Sequence, residues 1–80
     1  MKINVLLFGI STDLVGASSL EVEIPTNSSV GDFKEVLQKK YSSLTQLNSY
    51  AIAVNESYAD NDTQLNENDV VAIIPPVSGG

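Results

Sequence analysis

The chain has 80 residues, 42% hydrophobic and 18% charged, with a formal net charge of −6 at neutral pH. That suffices for one domain with a modest core, departs from disordered composition, and argues against nucleic acid or an anionic membrane as partner. It contains no cysteine, histidine or arginine, which excludes disulfides, the common zinc sites and the Ser-His and Cys-His nucleophile pairs.

Lys2 to Phe8 reads as a first strand, with Ile3, Val5 and Leu7 on one face and Leu6 and Phe8 on the other. Apolar character on both faces predicts a central position in a sheet. Gly9 to Ser18 reads as a turn segment with Leu14 and Val15 as plugs. Ser19 to Ile24 alternates, with Leu20, Val22 and Ile24 inward and Glu21 and Glu23 outward, and Pro25 ends it. The first two strands are expected to pair antiparallel. Ser29 and Asp32 have capping-box spacing, and Val30, Phe33, Val36, Leu37 and Tyr41 follow as a helical stripe read as core. Lys39 and Lys40 fall in the last turn, where positive charge suits the helix dipole. Tyr50 to Val54 is a short strand, Asn55-Glu56-Ser57 a turn, and Tyr58-Ala59 a brief return. Leu65 is a plug, Asn68 is expected in a left-handed position, and Val70 to Ile74 is a second central strand.

This order closes most simply as an α+β, β-grasp (ubiquitin-like) domain. A mixed sheet has its first and last strands parallel and central, with one main helix on one face. The domain is expected over residues 1–74 and an extended C-terminal tail over 75–80. Pro75-Pro76 disfavours helix and holds the chain extended. Six residues reach at most about 20 Å. Gly79 and Gly80 make a thin strip of backbone that could thread a narrow channel. The chemistry is therefore expected on the α-carboxylate of Gly80, with no metal site. No run is long enough for a membrane span and no signal-peptide pattern is present, so the expected location is cytoplasmic.

Several segments together resemble a known family: the first strand entering Phe8, the cap Ser29-Val30-Gly31-Asp32, Ala53-Val54-Asn55-Glu56, Leu65 with Asp69-Val70-Val71, and above all Pro75-Pro76-Val77-Ser78-Gly79-Gly80. Over essentially its whole length the chain resembles the small subunits of molybdopterin synthase, the ubiquitin-like sulfur carriers of molybdenum cofactor biosynthesis. The resemblance implies a chain that is not an enzyme on its own and binds no cofactor tightly. A ubiquitin-activating-type adenylyltransferase would use ATP to activate Gly80, and sulfur from a persulfide donor enzyme would make it a thiocarboxylate. The carrier would dock on the large synthase subunit in a heterotetramer, threading Pro75, Pro76, Val77, Ser78 and Gly79 into its active site. Phe8, Tyr58 and Ile74 match apolar positions that contact the large subunit. For Phe8 and Ile74 core packing and interface stay equally open; for Tyr58 the interface is favoured. Asn68 stands where the family commonly has Gly, and the family's Arg-Glu pair is missing from Ser11 to Gly16. Alternatives are a thiamine-pathway sulfur carrier, a ubiquitin-like protein modifier, or a β-grasp interaction module without tail chemistry. The Pro75-Pro76-Val77-Ser78 lead-in speaks against the first two.

Overall fold

Alternation along the first strand sorts its side chains. Ile3, Val5 and Leu7 are buried on one face, while Leu6 and Phe8 are exposed. The computed structural model, which describes residues 1–46 and 50–75, places this strand inside a five-stranded sheet. In chain order the elements are β1 (Lys2–Leu7), α1 (Ile10–Val15), β2 (Ser19–Glu23), α2 (Val30–Lys40), a 3₁₀ turn (Ser42–Gln46), β3 (Ala51–Val54), β4 (Ser57–Ala59) and β5 (Val70–Ile74). The hydrogen-bonded order is β2-β1-β5-β3-β4. β1 and β5 run parallel and every other pair is antiparallel. This is the expected β-grasp arrangement.

α2 covers one face of the sheet. Its buried residues Val30, Phe33 and Leu37 meet Ile3, Val5, Leu7, Val22, Ile52, Val71 and Ile73, with Leu44 and Leu65 closing the ends of the core. The helix starts where the sequence indicates. Ser29 Oγ accepts from Asp32 N–H at 3.2 Å and Asp32 Oδ2 accepts from Ser29 N–H at 3.0 Å. The remaining free donors of the first turn are satisfied by the connection before β5: Val30 N–H donates to the Thr63 carbonyl and Gly31 N–H to that of Asn61. Leu65 is the buried plug expected, and Asn68 has φ 68°, left-handed as expected.

One expectation is corrected. The stretch after β1 holds a six-residue helix, α1, rather than a turn with plugs, although Leu14 and Val15 do pack against the core. It ends at Gly16, left-handed at φ 87°, and Ser43 Oγ donates to the Leu14 carbonyl at 2.6 Å. β1 and β5 are interior to the sheet, as expected, and Leu6 and Val70 are exposed on the face away from the core.

The β3–β4 hairpin carries a local strain. Val54 pairs with Ser57, so the loop is Asn55 and Glu56, at φ 49° and 73°. Two positive φ values are what a type I′ turn needs to match strand twist, and the second position favours glycine. The turn is tied to β5: Asn55 Nδ2 donates to Asp69 Oδ1 at 3.0 Å and Asn55 Oδ1 accepts from Val70 N–H at 3.0 Å. A left-handed non-glycine residue costs about 1–2 kcal/mol, against about 0.4–1 kcal/mol for the extra unfolded-state freedom of glycine. Glu56→Gly is therefore expected to stabilise the fold by about 0.5–1 kcal/mol, read as a raised urea midpoint at unchanged slope. A lowered midpoint would show that the turn carries no such strain.

Candidate functional site

The face of the sheet opposite α2 has no helix on it among the described residues. Register gives its composition. Opposite Leu6 on β1 stands Ala72 on β5; Ala53 on β3 faces Ala72 and, across the next gap, Tyr58 on β4. Ile74 lies opposite Ala51, one pleat further toward the C-terminal end of β5. Phe8 follows Leu7 at the same end of β1. The face is graded. Its far end is polar, with Lys2 opposite Glu23 and Asn4 opposite Glu21. Its near end, where the chain leaves β5, is apolar.

Exposure separates the candidate residues. Tyr58 is 77% exposed and Phe8 is 50% exposed. Ile74 is half-buried and stands apart from the core cluster. Of the two residues left open by the sequence, Phe8 is exposed and Ile74 lies outside the core cluster. Exposed apolar side chains of this size gathered at one end of a sheet mark a surface that another body can cover. Leu6 (36%), Val70 (37%) and Ile10 (54%) belong to the same exposed apolar set and were not singled out from the sequence. For Leu6 and Val70 the signal was the double-sided apolar pattern of β1 and β5, which reads equally well as burial on both faces; Ile10 opens α1, which the sequence did not reveal.

The corner after β1 is held rigidly. Ser11 is fully buried; its Oγ accepts from Phe8 N–H at 3.1 Å and donates to the Phe8 carbonyl. This fixes the backbone from which the Phe8 ring projects. Gly9, between Phe8 and α1, lies against Pro75, the first residue past β5. Of the tail, Pro75 is described and half-buried; Pro76, Val77, Ser78, Gly79 and Gly80 lie outside the described residues. At the polar end of this face Lys2 and Glu21 form an exposed pair at 3.5 Å, where such pairs contribute little.

Comparison with known proteins gives a consistent set. A model of the ThiS family matches residues 5–80. A protein of Drosophila erecta named molybdopterin synthase sulfur carrier subunit is 36% identical over 83 residues, spanning 100% of this chain and 92% of its own. Among solved structures, a putative molybdopterin converting factor, subunit 1, from Pyrococcus furiosus is similar at a TM-score of 0.87 and 29% identity, covering 96% of this chain and 99% of that one. The protein–protein complex of subunits 1 and 2 of molybdopterin-converting factor from Helicobacter pylori contains a chain similar at a TM-score of 0.70 and 28% identity, with 100% of each covered.

If the open face is a surface rather than a second core, its residues can be changed without loss of fold. Tyr58→Lys is expected to move unfolding free energy by no more than about 0.5 kcal/mol. Phe33→Ala, in the true core, is expected to cost about 3–5 kcal/mol. Urea denaturation of the two variants checks this; a large loss for Tyr58→Lys would place that ring in the structural core.

Proposed function

The chain belongs to the ThiS family, and from that premise we propose that it is the sulfur-carrying small subunit of a molybdopterin synthase. The observation that carries the reading is the full-length match, at 36% identity, to a protein named for that role. The apolar end of the open face, from which Pro75 departs, supports it: a carrier must dock on its partner and present its tail from the same place.

The chemistry sits on Gly80. A carboxylate is a poor electrophile at physiological pH. A ubiquitin-activating-type adenylyltransferase would join it to AMP from ATP, releasing pyrophosphate and making the acyl carbon reactive. A persulfide sulfur from the donor enzyme attacks that carbon and AMP leaves; cleavage of the sulfur–sulfur bond by a thiol frees the thiocarboxylate. The loaded chain docks on the large subunit through Phe8, Tyr58 and Ile74. Residues Pro75 to Gly79 cross into the active site, the Gly80 sulfur bonds to the pterin precursor as an oxygen substituent leaves it, and water then cleaves the acyl–sulfur bond, so the sulfur stays on the pterin and the Gly80 carboxylate is regenerated. A dithiolene carries two sulfur atoms, so two loaded carriers are used per product. The absence of cysteine leaves the chain without a thiol that could capture its own activated end. The four lysines lie at positions 2, 34, 39 and 40, all upstream of the tail. The setting is the cytoplasm; among the described residues no helix is long and apolar enough to cross a membrane.

Three outcomes are expected. Wild-type chain isolated from cells with an active cofactor pathway should include a form heavier by the difference between sulfur and oxygen, and deletion of Gly80 should remove that form and abolish product while leaving the melt unchanged. Product made at the wild-type rate without Gly80 would overturn the assignment. Gly79→Ala should fold normally yet load or transfer sulfur poorly, because a methyl enters a channel suited to bare backbone; wild-type rates at both steps would count against threading. Tyr58→Lys should weaken binding to the large subunit by about 1–3 kcal/mol, the range of an aromatic anchor, measured by calorimetry. Unchanged affinity would move the docking surface elsewhere.

A further inference from the structure

Gly9 has φ 56° and ψ −136°. This is the mirror image of the extended region, open to glycine and strained for any L side chain. A second constraint is independent of the first. A Cβ placed on Gly9 would stand 3.2 Å from Cγ of Pro75, inside the roughly 3.5–4.0 Å at which carbon atoms rest. The contrast with Gly16 is informative: it also has a positive φ, yet a Cβ there meets nothing. Gly16 is bare for its backbone alone, whereas Gly9 is bare also because a ring lies on it.

The ring in question belongs to the first residue beyond β5. Proline holds its own φ near −65°, and the proline that follows Pro75 in sequence disfavours the helical region for it, so a ring fixed in place narrows the directions in which the next peptide can leave. The surface beneath that ring is itself immobilised. Ser11 pins the backbone of Phe8, Ser11 N–H donates to the Phe8 carbonyl at 3.2 Å, and Thr12 N–H donates to that of Gly9 at 3.1 Å. Phe8 and Ile10, both at least half exposed, flank it. A partner covering the open face at this end would close over the same spot.

Resting on the sulfur-carrier reading, we propose that Gly9 is a positioning residue. Its bare backbone seats the Pro75 ring and so aims the sulfur-bearing tail from the docked face toward the partner's active site. Gly9 touches no reacting atom; it acts through Pro75.

Two measurements test this. The first needs no activity. In the wild-type chain a nuclear Overhauser contact between the Gly9 α-protons and the Pro75 ring protons is expected, and its absence overturns the proposal. The second is a double-mutant cycle on chemically thiocarboxylated chain, with the purified large subunit and the pterin precursor, under single turnover. Gly9→Ala is expected to slow transfer about tenfold, since small misplacement of a reacting group has effects of that order or larger. The half-saturating concentration of large subunit should stay unchanged, because the docking face is intact. In the Pro75→Ala background the same Gly9→Ala change should have little effect on the rate, while its effect on the melting temperature persists, because the strained φ remains. Equal slowing in both backgrounds would mean backbone strain alone and overturns the proposal. Should Gly9→Ala not fold, Pro75→Ala alone decides: slowed transfer at an unchanged melt is expected, and a wild-type rate overturns it. Wild-type chain that donates no sulfur overturns the carrier reading; donation by wild type matched by Gly9→Ala overturns only this inference.

Discussion

The parallel pairing of β1 with β5 is the constraint on which the rest of the molecule depends. It runs from Asn4 opposite Val70 to Leu7 opposite Ile73, in the middle of the sheet. Parallel strands end on the same side, so the exit of β1 and the exit of β5 are brought together. The turn before β5 locks the register at the other end. Asn4 N–H donates to the Asp69 carbonyl at 2.9 Å, Asn68 N–H to that of Lys2 at 2.8 Å, and Lys2 N–H to Glu67 Oε2 at 2.7 Å. With both ends fixed, β2 and β3 can only flank, and α2 can only close over the face that holds Val5, Val71 and Ile73.

One consequence is a division of labour between the two faces of the same strands. Alternate residues of β1 and β5 build the core, and those between them build a surface. The surface set is polar at Lys2 and Asn4 but apolar at Leu6, Val70, Ala72 and Ile74, so it carries a standing solubility problem. The net charge of −6 works against it by repulsion between copies. At the far end of the face Lys2, Glu21 and Glu23 stand around Asn4 and the exposed Val70 opposite it, so the largest exposed apolar side chains, Tyr58 and Phe8, lie away from that end.

The strands, α2 and its cap were legible because each carries a periodic pattern that local chemistry reinforces. Ser29 with Asp32, and Glu21 and Glu23 alternating with Leu20 and Val22, leave little room for another reading. α1 was not legible. Ile10 to Val15 includes Ser, Thr and Asp and spans too few residues for a helix to hold in isolation; it persists through Gly16, the Ser43 hydroxyl and the packing of Leu14 and Val15. The 3₁₀ turn at Ser42–Gln46 likewise shows no periodicity and is anchored by buried Leu44. Tyr58 stands exposed on a three-residue edge strand, which offers little with which to bury so large a ring. Phe8 and Ile74 could not be resolved from pattern, since an apolar residue on the second face of a central strand looks the same whether a layer of helices or another protein covers it. Gly9 reads in sequence as an ordinary turn residue; only the approach of a residue from the far end of the domain gives it a second meaning.

The distance along the chain between the two central strands also shapes how the molecule reaches its fold. Bringing Val70 to Asn4 closes nearly the entire domain into one loop, an entropic cost of about 3–4 kcal/mol by the usual logarithmic scaling. The β1–β2 and β3–β4 pairs can form locally, but neither is stable on its own. The domain is therefore expected to assemble late and in one cooperative step, at the slow end for its size. Until then Val70-Val71-Ala72-Ile73-Ile74 is an uncharged, β-branched run with no partner, the kind of segment that seeds intermolecular sheets. Asp69 before the run and Pro75 after it bracket that hazard as gatekeepers. The proline that begins the tail thus also serves the chain before it has folded.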